Sequence, residues 1–339
     1  MVGIKDVARR AGVSIGTVSN VVNRPHLVSE ATRTRVLSVI QELGYVRDES
    51  ARQLRAGRSR IMALLVLDLG NPFFVDVARG AEQAAHGAGL SVITCNSGQR
   101  VDTEAAYLAM LAEQRVRGVL LSTVDTEGEG LDRFRRSGIP HVFVDRKVPG
   151  DQACSVSVDD VAGGELAMRH LVEAGHTRIA FVNGPTVLTQ CRDRQAGVDA
   201  ALASAPPPQR HLSVLDATGL DVASGRDAGA RLLGMSPRPT AVFCANDLLA
   251  LGVLQAMVTA GVRVPEEMAI VGYDDIEFAG AAAVPLTSVR QPAVRLGRTA
   301  AELLIAETES TGEERQHEHR TVVFTPELVV RDSTRVRRG

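Results

Sequence analysis

The apolar residues fall into two patterns along the chain, and the change comes near residue 60. In the first part, short apolar stripes recur at helical spacing. Lys5–Arg10 predicts a helix that turns Val7 and Ala8 inward, and Gly12 in the following turn is free to take the positive φ that ends it. Ser14 suits an N-cap for a second helix over Ile15–Val22, in which Val18, Val21 and Val22 form the buried stripe. Ile15, Thr17 and Asn20 therefore point away from that stripe. A third helix opens at Ser29 and places Val36, Ile40 and Leu43 on one face before Gly44 stops it. Asp48–Gly57 has a capping Asp, acids in its first turn and a terminating Gly, the pattern of a fourth helix. Isolated helices shorter than roughly 12 residues are marginal in water, so this one should form only against a partner.

From Ile61 onward, continuous apolar runs alternate with amphipathic stretches. The runs Ile61–Leu67, Leu90–Cys95, Gly118–Ser122, His141–Val144, Arg178–Val182, Leu212–Leu215, Ala241–Cys244 and Met268–Gly272 predict strands. Helical patterns such as Val75–His86, Asp160–Ala174 and Leu248–Ala260 lie between them. This alternation predicts an α/β body of parallel sheets covered by helices on both faces. That many strands over that length fit two sheets better than one. Pro206-Pro207-Pro208 reads as a surface loop, because strand patterning resumes directly after it.

The 339 residues, 45% hydrophobic and 23% charged, allow two or three domains with buried cores. No apolar run approaches the roughly 18 residues of a membrane helix, and charges appear at once after Met1, so a cytoplasmic protein with no membrane partner is expected. Cys95, Cys154, Cys191 and Cys244 are scattered, with no Cys-x-x-Cys and no His at ligand spacing. Neither a zinc module nor a disulfide framework is expected, and no metal or cofactor. Net charge is −2, but residues 1–60 carry +6 and the remainder −8. A small basic head on an acidic body is the electrostatic outline of a nucleic-acid reader joined to something else. An enzyme such as a sugar kinase fused to a helix-turn-helix would need a phosphate loop, and no Gly-x-x-x-x-Gly-Lys-Ser/Thr or dinucleotide fingerprint occurs. A transport binding protein is opposed by the basic head and the absence of a signal sequence.

The run Ile4-Lys5-Asp6-Val7-Ala8, Ala11-Gly12-Val13-Ser14, Thr17-Val18-Ser19, Val21 and Asn23 resembles the helix-turn-helix of the LacI/GalR family of bacterial repressors. The likeness continues through Val28-Ser29, Thr32-Arg33, Leu43-Gly44-Tyr45 and Ala51-Arg52-x-Leu54. In the body its markers are Asn71-Pro72-Phe73-Phe74, Val144-Asp145-Arg146, Arg194-x-x-Gly197, Ala245-Asn246-Asp247 and Val271-Gly272-Tyr273-Asp274-Asp275. The resemblance implies a helix-turn-helix domain over residues 1–47, a hinge helix and linker over 48–60, and an effector-binding and dimerisation core over 61–331. The core would be similar to periplasmic binding proteins: two doubly wound lobes, one built from about 61–158 with 291–321 and the other from 159–290 with 322–331.

The same resemblance implies a homodimer that binds a near-palindromic double-stranded operator and represses transcription under control of a small molecule. A carbohydrate is the family's usual effector, and a nucleobase is the alternative. DNA contact is carried to Ser14, Ile15, Gly16, Thr17, Asn20 and Asn23 on the second helix. An Asn side chain can pair bidentately with adenine, and Thr or Ile can touch a thymine methyl. Ile15-Gly16 stands where relatives often carry larger polar groups, which reduces the number of bases read. Leu54 corresponds to a wedge that enters the minor groove, with Arg55 beside it in that groove's negative potential. Effector contact is carried to Phe73, Asp145, Arg194, Asn246 and Asp274, with Phe74, Gln190 and Leu220 as weaker members. Asp247 reads as a helix cap and Tyr273 as core, while Arg146 is divided between pocket and surface ion pair.

Overall fold

A computed structural model describes residues 2–45, 59–124, 128–148, 152–205, 210–309 and 317–335. It divides into two units, Met1–Arg58 and Ser59–Gly339. The expected helix over 48–57, with Leu54 and Arg55, lies outside the described residues.

In the first unit, α1 (Ile4–Ala11), α2 (Ile15–Asn23) and α3 (Glu30–Leu43) pack around Val7, Ala8, Ala11, Val18, Val21, Val36 and Val39. Gly12 caps α1 at φ 65°, its N–H donating to the Ala8 and Arg9 carbonyls. Two details depart from the expected stripes. Val22 is only half-buried, and on α3 the position one turn after Val36 that faces the core is Val39. Ile40 and Leu43 flank that contact instead of forming its centre.

The second unit holds two six-stranded sheets. The first is built from β1 (Ile61–Val66), β2 (Ser91–Asn96), β3 (Gly118–Leu121), β4 (His141–Val144), β5 (Cys154–Val158) and β11 (Thr321–Phe324). Its order is β11-β5-β4-β3-β1-β2, and every pair is parallel. Met62, Leu64 and Val66 of β1 pack in one cluster with α4 (Pro72–Gly87) and α12 (Ala293–Glu309). Ala63 and Leu65 pack in the other, with α5 (Val101–Glu113) and α6 (Glu129–Arg135). Burial on both faces is why β1 reads as an unbroken apolar run.

The second sheet contains β6 (Arg178–Asn183), β7 (His211–Asp216), β8 (Ala241–Cys244), β9 (Ala269–Asp274), β10 (Thr287–Arg290) and β12 (Glu327–Val329). Its order is β12-β10-β9-β8-β6-β7, parallel except for the edge strand β12. Around it lie α7 (Asp160–Glu173), α8 (Thr189–Ala203), α9 (Val222–Leu233), α10 (Asp247–Thr259) and the short α11 (Glu277–Ala281). Among the described residues, no helix is long and apolar enough to cross a membrane.

The chain passes between the lobes at Asp159, at Gln291-Pro292 and at Thr325-Pro326. The last crossing lies later than expected: Val322–Phe324 pair with Val156–Val158 in the first sheet, not the second. Pro326, which cannot donate to a ladder, ends that pairing. Strands β5 and β10 escape sequence patterning because small hydroxyl residues break up their apolar runs, although both strands are buried except at Arg290. Partners elsewhere satisfy β10's hydroxyls: Ser288 Oγ donates to Asp247 Oδ1 at 2.7 Å and Thr287 Oγ1 to the Arg331 carbonyl at 3.1 Å.

One close approach sets the geometry of the site. Helices α7 and α8 cross through Gly164 and Gly197, where an added Cβ would meet the Arg194 carbonyl at 2.2 Å and the Val161 carbonyl at 2.0 Å. Only glycine allows the two backbones this near, and Arg194 lies at the crossing.

Candidate effector cleft and nucleic-acid interface

At the start of α2, Ser14 Oγ accepts the Thr17 N–H at 3.0 Å and lies 2.9 Å from Thr17 Oγ1. The two hydroxyls thus cap the helix and brace each other. Ser14, Ile15, Gly16 and Asn23 are exposed and Thr17 and Asn20 half-buried, so the six share the accessible side of α2. Ile15 is the notable member, an apolar side chain 45% exposed at a helix N-terminus. Asn23 differs from the others: its amide donates to Ser19 O at 2.9 Å and Ser19 Oγ at 3.2 Å, one turn back along its own helix.

In the second unit, a cleft lies between the lobes, with about 460 Å³ of empty space once the part open to solvent is included. It opens beyond the C-terminal ends of the strands, where open α/β sheets bind ligands. All eight residues named from sequence line it: Phe73 and Phe74 at the start of α4, Asp145 after β4, Gln190 and Arg194 on α8, Leu220, Asn246 after β8, and Asp274 ending β9. Asn71, Gln99 and Gln291 also line the cleft, and sequence reasoning did not single them out as ligand residues. Asn71 and Gln291 each directly precede a proline at the start of a helix in the first lobe, which is the signal that could have pointed to them.

Polar bonds stitch the cleft shut across the lobes. Asn71 Nδ2 donates to Asp274 Oδ2 at 3.0 Å, and Gln190 Nε2 donates to Asp145 Oδ2 at 2.7 Å. Arg146 is buried, and its Nη2 donates to Thr189 Oγ1 at 2.6 Å, which places it at the lobe seam. At the crossing between the lobes, Gln291 Nε2 donates to Asp274 Oδ1 at 2.7 Å. Asp145 at φ 58° and Asp274 at φ 105° hold backbone conformations that non-glycine residues rarely adopt. Both are strand-end aspartates aimed into the cleft, as expected where strain is kept for a purpose.

Arg194 is fixed from three sides. Its Nε donates to Asp160 Oδ1 at 2.8 Å, its Nη1 to the Ala245 carbonyl at 2.6 Å, and its guanidinium lies 3.7 Å above the Tyr273 ring. Burial works against its charge, yet Asp160, Tyr273 and Asp274 around it hold its pKa well above the ordinary value. Tyr273, fully buried, is the platform for this arginine. Asn246, not Asp247, caps α10, accepting the Leu249 N–H at 2.9 Å through Oδ1. Asp247 is buried beneath it and accepts the Ile276 N–H at 2.9 Å and Ser288 Oγ at 2.7 Å, which anchors the turn after Asp274.

Burial, reinforced by the charge of Asp160, pushes Asp145 up to about 7 despite the nearby Arg194. Burial likewise raises Asp274, although Arg194 and the amides of Asn71 and Gln291 oppose the shift. Asp145 Oδ1 and Gln291 Oε1 are buried without a hydrogen-bond partner. The residues lining the cleft therefore include two that each hold an unpaired buried oxygen, a fixed guanidinium and the edge-to-face pair Phe73–Phe74, whose centroids lie 5.1 Å apart. Such a set can hold a small polar ring by hydrogen bonds at its rim and apolar contact on its face.

Residues 3–48 match the model of bacterial regulatory proteins of the lacI family, and residues 168–334 match that of a periplasmic binding protein-like domain. The chain is 35% identical over 336 residues to the HTH-type transcriptional repressor PurR of Photobacterium profundum, with 99% of each chain covered. Among solved structures it resembles a transcriptional regulator CelR–cellobiose complex at 33% identity and TM-score 0.71, covering 98% of this chain and 100% of that one. It also resembles the lac repressor dimer bound to operator and the anti-inducer ONPF, at 28% identity and TM-score 0.81, covering 98% and 99%.

Proposed function

Because this chain belongs to the lacI family of bacterial regulatory proteins, we propose that it is a sequence-specific transcriptional repressor whose operator affinity is set by a small molecule bound between the core lobes. It acts in the cytoplasm as a homodimer, each subunit placing α2 in the major groove of one half-site of a near-palindromic operator. Ser14, Ile15, Gly16, Thr17 and Asn20 make the groove contacts, and Asn23 supports them through its bonds back to Ser19. Leu54 is the minor-groove wedge at the operator centre, with Arg55 alongside it.

The observation that carries the effector half of this reading is the cleft, where eight residues spread over two hundred positions of sequence face one space. Ligand binding there changes operator affinity only if the ligand favours one lobe arrangement over the other. The bonds Asn71–Asp274 and Gln190–Asp145 are the contacts that distinguish those arrangements.

The effector is a carbohydrate. A hydroxyl both donates and accepts, so it pairs with Asp145 Oδ1 in either protonation state and with the Gln291 oxygen. Phe73 and Phe74 supply the apolar face, and the lining contains no tyrosine or tryptophan for multi-ring stacking. CelR, a similar protein, was solved as a cellobiose complex, which supports the same class. A thermal-shift screen of sugars and nucleobases tests this, since a ligand that binds only the folded state raises the melting temperature. Binding of a sugar that is lost in Arg194→Met is the expected result. A shift from nucleobases alone would overturn the carbohydrate assignment, and no shift from either class would count against the cleft as an effector site.

A further inference from the structure

At the end of the first sheet opposite the cleft, four side chains with metal-ligating atoms converge. Cys154 opens β5, Glu307 lies in the last turn of α12, and His317 and His319 precede β11. One donor atom from each lies within 4.8 Å of all the others. Cys154 Sγ is 3.2 Å from His317 Nε2 and 3.9 Å from His319 Nδ1, and His317 Nε2 is 3.9 Å from Glu307 Oε2. Ligands on a tetrahedral zinc ion, with bonds of about 2.0–2.3 Å, stand roughly 3.2–3.8 Å from one another. The four groups thus already sit at about the separation that one shared ion would impose.

The surroundings suit an ion as well as the spacing does. Cys154 is fully buried on the α12 side of the sheet, and its Sγ accepts the Arg320 backbone N–H at 3.3 Å, a contact that steadies a thiolate. Glu307 Oε2 is buried with no hydrogen-bond partner, a costly state for a carboxylate oxygen. A divalent cation would supply that partner and neutralise one thiolate and one carboxylate, while the histidines bind as neutral imidazoles. Four protein ligands leave no open position, the mark of a structural site as distinct from a catalytic one. A sulfur and two imidazoles select the zinc class over magnesium or calcium.

We propose that Cys154, Glu307, His317 and His319 form a binding site for a zinc-class divalent ion, which ties the end of α12 and the approach to β11 onto the start of β5. The site is separate from the effector cleft, and the roles proposed for the cleft residues neither need it nor explain it. Sequence spacing concealed it because Cys154 and His317 are 163 positions apart.

The test is to titrate the untagged full-length chain, stripped with chelator, with Co²⁺ and then with Zn²⁺. The expected result is one cobalt per chain, with a thiolate-to-cobalt charge-transfer band and the visible bands of four-coordinate cobalt, all displaced by one equivalent of zinc. Cys154→Ser should remove the charge-transfer band. His317→Gln and His319→Gln should each weaken binding at least about tenfold, since changes even in the groups supporting metal ligands cost about 10–100-fold. These two half-buried positions carry the test should Cys154→Ser fail to fold. Cobalt uptake equal in the parent and the double histidine variant would overturn the proposal, as would a charge-transfer band that persists in Cys154→Ser.

Discussion

Asp274→Asn keeps the shape of a side chain that joins the two lobes and changes its hydrogen-bonding capacity. The carboxylate accepts from Asn71 Nδ2 at 3.0 Å and from Gln291 Nε2 at 2.7 Å, one donor for each oxygen. An asparagine offers one oxygen and one NH₂ group, so one of the two donors must face another donor. A hydrogen bond to a charged group contributes about 1.5–3 kcal/mol, and an unpaired buried donor costs about 1–3 kcal/mol. Removing the desolvated carboxylate offsets part of this, because burial already works against its ionised form. The net expectation is a loss of about 2 kcal/mol, concentrated on the longer bond to Asn71. A double-mutant cycle with Asn71→Ala isolates the seam. Asn71 also caps α4 by accepting the Phe73 N–H at 3.0 Å, worth about 0.5–2 kcal/mol, but that term enters both arms and cancels. Denaturant unfolding of the core transition in the four proteins should give a coupling of about 1.5–2 kcal/mol between the positions. Effects that add to within about 0.5 kcal/mol would refute the argument that this bond holds the lobes together.

Gly197→Ala should lower the melting temperature of the core, with a cost of about 1–3 kcal/mol or more, because its Cβ would lie 2.0 Å from the Val161 carbonyl. An unchanged melting temperature would mean that α7 and α8 do not cross as described. Asp145, at about 7 in the folded chain against an ordinary 3.8, holds its proton longer when folded than when unfolded. Its contribution to stability therefore falls as pH rises from about 4 to about 7, and Asp145→Asn should flatten that part of a pH series of effector-free unfolding midpoints. An identical slope in the two proteins would contradict the assignment. Asn20→Ala should relax preference at one base position of each half-site by about 1–3 kcal/mol in a binding-site selection, whereas Asn23→Ala should leave the selected motif unchanged. The opposite pattern would mean that Asn23 gives up its bonds to Ser19 on binding DNA.

The sequence was informative where one local rule decides the structure. Gly12 at positive φ, Ser14 capping α2 and the unbroken apolar run of β1 each follow from a handful of neighbouring residues. The cleft was also legible, because its residues follow strand ends that patterning identifies, and a family resemblance fixed which of them to name. What could not be read depends on distant partners. Nothing local announces that Ser288 and Thr287 are strand residues, since their hydroxyls are satisfied by Asp247 and by the Arg331 carbonyl. Arg146 could not be placed until Thr189, on the other lobe, was found beside it. The third crossing was misplaced by a few residues because β11 pairs with β5 across more than 160 positions. The spacing argument against a metal failed to find the Cys154 cluster for the same reason.

On the proposed function, a molecule held between the lobes sets the affinity of α2 for its operator. The direct measurement is operator affinity by fluorescence anisotropy at fixed salt, with and without a saturating concentration of the sugar that gives the largest thermal shift. Salt must be fixed because each neutralised phosphate makes binding salt-dependent, with a slope of about −0.9. The parent should show a change of at least about fivefold, the lower end of common allosteric coupling. Arg194→Met should bind operator like the sugar-free parent and ignore the sugar. Operator affinity that stays constant while the sugar saturates the parent chain would contradict the account.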